Sequence, residues 1–141
     1  MSRLTLKQAN KIVEVALAKA REMKTKPLTV AVLDDAGHVK SLQREDGANM
    51  FRNDIAIGKA WAAIGMGASS RTLLQRAKDN PQFYGALTVV GQGKFVPQTG
   101  AVLIKDKDGT ILGAAGGSGG TGDEDEAVCI AGIEAAGLVS G

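Results

Sequence analysis

The sequence predicts an α+β fold in which helices cover a central antiparallel sheet. Two segments are typical of β-hairpins, because turn-forming residues at Asp34–Gly37 and Asp106–Gly109 each join two short apolar runs. Segments with helical periodicity precede, separate and follow these hairpins. Hairpins join antiparallel neighbours, whereas parallel strands need helical crossovers, so this order favours the layered α+β class. At 141 residues we expect a single domain over residues 1–141.

The first half is expected to form a helix, a hairpin and two more helices. A capping box at Thr5 and Gln8 starts the first helix, whose apolar residues recur at helical spacing until Pro27 stops it. The small residues of the second helix should let a neighbour pack close to it. The third helix begins at a cap on Ser69 or Ser70. The predicted segments after the first helix are strands Leu28–Leu33 and His38–Gln43, a helix over Met50–Met66, and a helix to Lys78 that Asn80 and Pro81 end.

The second half is expected to form an irregular segment, a hairpin and a final helix. Four helix breakers, Gly85, Gly91, Gly93 and Pro97, predict irregular structure over Gln82–Gln98. A second capping box, at Thr121 and Glu124, predicts a helix that runs to about Leu138. The strands of the second hairpin are predicted over Ala101–Lys105 and Thr110–Ala115.

Composition excludes several classes of function. Seventeen basic and fifteen acidic residues give a net charge of +2, and one Trp, one Tyr and three Phe provide few stacking platforms, so we expect no nucleic-acid partner. No apolar run reaches the ~18 residues of a membrane span, and the N-terminus lacks a signal-peptide pattern, so we expect a cytoplasmic protein without a membrane partner. Cys129, the single cysteine, excludes an internal disulfide and is expected in the core.

Near the C-terminus the chain reads GAAGGSGGTGDEDEA, and Gly117–Gly122 matches the dinucleotide-binding pattern G-x-G-x-x-G. That pattern requires a surrounding βαβ unit, which the nineteen residues after Gly122 do not supply, so we expect no nicotinamide or flavin dinucleotide. Two interpretations remain for the glycines. They present backbone amides to an anion at a helix N-terminus, or they form a tight turn that needs positive φ.

Other polar residues are candidates for ligand chemistry. The acidic residues Asp123–Glu126 fit a capped, dipole-stabilised helix start, although Asp123 and Glu126 share a face that suits a hard cation. His38, the only histidine, is a candidate axial haem ligand, proton shuttle or solvated turn residue. On the second helix, Arg52 or Lys59 facing inward would pair with an anionic ligand group, and the alternative is a solvated helix face.

Four stretches together resemble the GlcG/HbpS-like family, which also forms the C-terminal domain of PduO-type corrinoid proteins. They are LTLKQANKIVEVALAKA, LTVAVLDDAGHVKSLQREDGA, DIAIGKAWAA and GAVLIKDKDGTILGAAGGSGGTGDEDEAVCIAGIEA, and they lie between Leu4 and Ala136 in the family's order. The resemblance implies a profilin-like or PAS-like layer with a central antiparallel sheet flanked by helices. It also implies a homo-oligomer, octamers being known in the family, and binding of haem or a related tetrapyrrole. Links to haem degradation or small-molecule catabolism are implied as well.

Residue by residue, the resemblance adds ligand-binding roles for His38, Lys59 and the loop Ser118, Gly119, Gly120 and Thr121. Either His38 or Thr121 would contact a haem iron. The leading hypothesis is a haem- or small-anion-binding protein whose ligand is held by the loop amides with Arg52 or Lys59 as counter-charge. The alternative is a catabolic enzyme acting on a small carboxylic or carbonyl compound. There the loop would stabilise an oxyanion, and Lys59, Asp54 or His38 would be acid or base. A purely structural oligomerisation module is the third hypothesis.

Overall fold

A computed structural model describes residues 3–141, and within them the chain forms five helices and one five-stranded antiparallel sheet. The helices are α1 (Leu6–Met23), α2 (Phe51–Met66), α3 (Ser70–Asp79), α4 (Pro81–Val90) and α5 (Gly122–Ala135). The strands are β1 (Thr29–Asp34), β2 (Val39–Arg44), β3 (Ala101–Lys105), β4 (Ile111–Ser118) and β5 (Val139–Ser140). The predicted α+β class and both predicted hairpins are confirmed.

The two hairpins join into one sheet because β1 pairs with β4, in the order β2-β1-β4-β3-β5. In this register Thr29 lies opposite Ser118, and Asp34 lies opposite Gly113. The interior strand β1 is apolar on both faces, as expected of a strand covered on both sides. The register therefore places the C-terminal end of β4 beside the first residue of β1.

Helices cover both faces of the sheet. Val30 and Val32 of β1 pack in a core with α1 and α5, whereas Ala31 and Leu33 point the other way and pack against α2. Period-two alternation along the strand explains this division. The helices α3 and α4 form an outer layer on α2 around Leu73. The sheet is thus sandwiched between α1 and α5 on one side and α2 on the other.

Helix caps follow the sequence closely. Both predicted capping boxes are present, at Thr5 with Gln8 and at Thr121 with Glu124. Ser69, rather than Ser70, caps α3. The hydroxyl of Ser70 is buried instead, where it accepts from the amide of Ala101 at 2.8 Å and fixes the start of β3. Local capping chemistry therefore determined where these helices begin.

The prediction of irregular structure over Gln82–Gln98 was wrong for its first part, which forms α4. Pro81 ends α3 as predicted, yet it also starts α4, because a proline at the first helical position loses no hydrogen bond. Gly85 is accommodated inside the helix. Most of α4 is exposed despite its apolar sequence.

No helix within residues 3–141 has the length and apolarity to cross a membrane.

The C-terminal segment and the end of β4 also differ from the sequence-based prediction. The last helix stops at Ala135 instead of continuing to about Leu138. The residues that follow form β5, where Val139 pairs with Lys105 and Ser140 with Ile104. Backbone pairing with an open sheet edge therefore replaces the last predicted helical turn. The strand β4 extends three residues beyond its predicted end at Ala115.

Close backbone packing of α2, predicted from its small residues, is confirmed within the subunit. A Cβ atom on Gly116 of β4 would lie 2.4 Å from the carbonyl oxygen of Ala56. A Cβ atom on Gly58 would lie 2.5 Å from Val96 Cγ2 in the loop before β3. Both glycines are therefore required by the approach of α2 to its neighbours.

We expect Gly116→Ala to reduce the free energy of unfolding by about 1–3 kcal/mol, because the new methyl group meets a backbone carbonyl that has little room to move. Urea denaturation would measure the change. The matched control is Gly85→Ala in α4, where a Cβ atom meets nothing within 4 Å. This control should be neutral or stabilising by about 0.5–1 kcal/mol. Equal stability of the two variants would contradict the packing argument.

Candidate functional site

A polar cavity of about 480 Å³ lies where α2, α3, the loop before β3 and the turn from β4 to α5 meet. Arg52, Ile55 and Lys59 of α2 contribute one wall, because spacings of three and four residues place side chains on one helix face. Leu74 of α3 and Thr99 of the loop contribute others. Five of the predicted site residues line this cavity: Arg52, Lys59, Ser118, Gly120 and Thr121.

A buried ion pair forms the floor of the cavity. The Lys59 Nζ atom lies 3.2 Å from Asp125 Oδ2 and donates to the Gly117 carbonyl oxygen at 2.9 Å. The two side chains are only 7% and 2% exposed. Burial raises the pKa of Asp125, while the Lys59 charge and a 3.0 Å hydrogen bond from the Gly120 amide oppose that rise. The pair connects α2 and α5, which lie on opposite faces of the sheet.

Glycines make room for this ion pair. A Cβ atom on Gly100 would lie 2.7 Å from Lys59 Nζ and 3.1 Å from Asp125 Cβ, and Gly100 has a φ of +138°. A Cβ atom on Gly117 would contact the backbone of Asp125 at 3.1 Å. The Lys59 side chain therefore reaches Asp125 past two positions that lack side chains.

Arg52 lies at the side of the cavity next to the end of β4. Its Nη1 atom donates to Ser118 Oγ at 3.2 Å, and Ser118 itself is 1% exposed. Within residues 3–141 Arg52 forms no ion pair with a carboxylate. Its guanidinium is therefore the cation in the cavity that lacks a carboxylate partner in the part of the chain described.

The structure corrects the expectation that the glycine loop presents free amides. The Gly120 amide donates to Asp125 Oδ1, and the Thr121 amide donates to Glu124 Oε1 at 2.9 Å. Gly119 is not part of the cavity, since a Cβ atom there would lie 2.2 Å from the Pro27 carbonyl oxygen. The amides of Gly120 and Thr121 are thus satisfied within the chain, and the side chains of Arg52, Lys59 and Ser118 supply donors to the cavity.

The acidic residues at the start of α5 hold an arginine. The Arg71 guanidinium of α3 contacts Asp123 and donates to Glu126, with Nε 3.1 Å from Oε2. These hydrogen bonds raise the pKa of Arg71. No group of three or more His, Cys, Asp or Glu residues among those described is arranged to hold a metal ion. The shared face of Asp123 and Glu126 therefore binds a cationic side chain, which ties α3 to α5.

Two other candidates lie away from the cavity. His38 is exposed just before β2, and its amide donates to Asp34 Oδ1 at 3.0 Å. Because Leu33 pairs with Val39 and Thr29 with Ser118, His38 and Ser118 lie toward opposite ends of β1, in which Thr29 and Leu33 are about 13 Å apart at a rise of ~3.3 Å per residue. Asp54 lines a separate cavity of about 350 Å³.

Sequence reasoning missed the role of Asp125, which it assigned to the helix start. A signal was present, because Asp125 lies three and four residues before Val128 and Cys129, both buried core residues. A carboxylate on the buried face of a helix requires a partner. The prediction that Cys129 lies in the core is confirmed, and burial raises the pKa of its thiol.

We expect Lys59→Met and Asp125→Asn each to lower the free energy of unfolding by about 3–5 kcal/mol, since each leaves the other charge buried and unpaired. The double variant should lose less than the sum. Lys59→Met should be less stable at pH 8 than at pH 5, because Asp125 then loses the charge that lowers its pKa and its ionised form is disfavoured in the fold.

Urea denaturation of the four proteins measures this cycle. Lys19→Met is the matched control, because it breaks the exposed pair with Glu22 and should cost less than about 1 kcal/mol. Additive losses in the double variant would contradict a coupled ion pair.

Comparison with known proteins covers most of the chain. A family model described as "Haem degrading protein HbpS-like" matches residues 4–134. The 15.0 kDa protein of the dhaT-dhaS intergenic region of Citrobacter freundii is 30% identical over 122 residues, which cover 86% of this chain and 84% of that protein. Corrinoid adenosyltransferase PduO of Citrobacter freundii is 25% identical over 86% of this chain, but the match spans only 36% of PduO.

Solved structures share the whole architecture. The PduOC:heme complex is similar with a TM-score of 0.86 and 25% identity, covering 97% of both chains. A double mutant of Streptomyces reticuli HbpS gives a TM-score of 0.81 and 27% identity, covering 95% of this chain and 87% of that one. The sequence resemblance implied a profilin-like or PAS-like layer with a central antiparallel sheet flanked by helices. These proteins share that arrangement with the present structure. The chain therefore belongs to the HbpS-like family.

Proposed function

We propose that this protein binds haem, with a carboxylate group of the haem held in the cavity by Arg52 and Ser118. Membership of the HbpS-like family and the similarity to a PduOC:heme complex support haem as the ligand. The observation that carries the placement is the Arg52 guanidinium, which lines a polar cavity and has no carboxylate partner among residues 3–141. A guanidinium fork matches a carboxylate in shape and charge.

Of the two residues predicted to contact a haem iron, Thr121 lines the cavity and His38 does not. Histidine, cysteine and methionine are absent from the described residues that line it. Thr121 lines the cavity, and its hydroxyl already accepts from the Glu124 amide at 3.1 Å, which leaves a second lone pair. His38 lies at the far end of β1. His38 and Thr121 of one subunit therefore cannot both contact a haem whose carboxylate binds Arg52.

We therefore propose Thr121 as the residue next to the iron within a subunit. Bound haem would supply iron-centred redox and ligand chemistry. The chain's own contribution is to bind a carboxylate with Arg52, to orient that guanidinium through Ser118, and to hold the wall of the cavity with the Lys59–Asp125 pair.

Haem titration followed in the Soret region tests this proposal. We expect a saturable spectral change, with affinity reduced about tenfold or more by Arg52→Gln, because a hydrogen-bonded charge pair is lost. Arg76→Gln on α3 is the matched control, since it removes the same charge from an exposed side chain outside the cavity. Thr121→Ala should shift the Soret band, and Thr121→Ser, which keeps the hydroxyl, should not.

Two outcomes would contradict the placement. A Soret band that His38→Ala alters and Thr121→Ala leaves unchanged would move the ring to the other end of the sheet. No saturable change at micromolar haem would contradict haem binding itself.

We also propose that the protein forms a homo-oligomer through the exposed face of α4. Val89 and Val90 are 78% and 76% exposed, and Phe83 is exposed on the same helix. Only Tyr84 of α4 is buried. Exposed apolar surface of this kind is typical of subunit contacts.

Light scattering tests the contact on α4. The wild-type protein should exceed the 14.5 kDa subunit mass, and a Val89→Glu, Val90→Glu double variant should approach that mass, because buried carboxylates without partners would oppose association. Leu6→Glu on α1, another exposed apolar position, is the control and should leave the mass unchanged. A monomeric wild-type protein would contradict the proposal.

A further inference from the structure

We propose that the same cavity binds free short-chain monocarboxylates, of which propanoate is the simplest probe, between Arg52, Ser118 and Lys59. The inference rests on the site of the proposed function but not on haem as its occupant. It follows from the hydrogen-bond donors of the cavity side chains that form no bond within the described chain.

The side chains of the cavity retain several donors. Arg52 has five N–H donors, and one side-chain hydrogen bond, to Ser118, is formed among the described residues. Ser118 Oγ accepts that bond and donates to no side chain or carbonyl in residues 3–141, so its O–H remains available. Lys59 has three N–H donors and uses two, on Gly117 and Asp125. Ser118 and Lys59 are both more than nine-tenths buried, so the cavity is where these donors can find an acceptor.

The two carboxylates that line the cavity are already engaged. Asp125 accepts from Lys59 and from the Gly120 amide. Asp123 contacts Arg71. The hydrogen-bonding capacity that remains is therefore mainly that of donors, and a ligand rich in acceptor oxygens complements it.

Charge limits the ligand to a monoanion. Lys59 pairs with Asp125, and Arg71 pairs with both Asp123 and Glu126, which leaves Arg52 as the cation of the lining without a carboxylate contact among residues 3–141. A dianion such as sulfate would carry a second negative charge next to the buried Asp125 carboxylate, at a cost that the single guanidinium does not offset. A carboxylate also matches the planar donor fork of Arg52, which a tetrahedral anion matches less well.

The apolar lining selects the rest of the ligand. Ile55 lies between Arg52 and Lys59 on the cavity face of α2, and Leu74 of α3 completes the apolar part of the wall. An alkyl group of two or three carbons attached to the carboxylate would contact these side chains. Propanol has no charge to pair with Arg52, and propylammonium is itself a cation. Both therefore serve as control ligands of matched chain length.

Backbone-amide NMR titration of the purified, haem-free protein tests the inference. Propanoate should shift resonances of the cavity residues saturably, with a Kd of roughly millimolar or tighter for so small a ligand. Arg52→Gln should weaken binding at least about tenfold, and Arg52→Lys, which keeps the charge but not the fork, should weaken it less. Ser118→Ala should weaken binding several-fold, and the control Arg76→Gln should leave it unchanged.

Sulfate, propanol and propylammonium at the same concentrations should shift these resonances little. Binding of any of these as tight as that of propanoate would overturn the inference, as would the absence of saturation in the wild-type protein or an unchanged Kd in Arg52→Gln. Haem titration separates this result from the proposed function. Haem binding without any propanoate binding would overturn the inference alone, whereas propanoate binding without a Soret change would overturn only the haem proposal.

Discussion

The buried ion pair between Lys59 and Asp125 is the interaction on which the arrangement of the site depends. It joins helices from opposite faces of the sheet, and the desolvation of two charges is compensated by a 3.2 Å contact and by hydrogen bonds to Gly117 and Gly120. Gly100 must lack a side chain for the pair to form. The same pair forms the floor of the cavity. It therefore constrains both the packing of α2 against β4 and the position of the loop before α5.

The chemical character of the cavity follows from which charges the chain satisfies internally. Lys59 and Asp125 neutralise each other, and Arg71 pairs with Asp123 and Glu126 at the start of α5. Arg52 is left with a hydroxyl partner only. A site in which one cation remains available is suited to recognition of an anionic group. Membership of the HbpS-like family and this charge arrangement are two independent grounds for the proposal of an anionic ligand.

Much of the fold was predictable because its signals are local. Capping boxes, hairpin turns and helical periodicity each involve residues within a few positions of one another, and they predicted four of the five helices and both hairpins. The helix α4 was missed because glycine and proline suggested breaks, although Pro81 at a first helical position is favourable. Of the predicted site residues, Arg52, Lys59 and Ser118 line the cavity, but the free amides expected at Gly120 and Thr121 are occupied.

The sequence by itself determined the α+β class, the helix starts and the resemblance to the HbpS-like family, since these depend on short-range patterns and ordered motifs. Only the tertiary structure decided which residues meet. Pairing of β1 with β4 brings Ser118 beside Arg52, across 66 positions of the chain, and leaves His38 at the opposite end of the sheet. Asp125 became the partner of Lys59 for the same reason. Charge pairing and cavity shape depend on long-range strand register and helix packing, which no local pattern specifies.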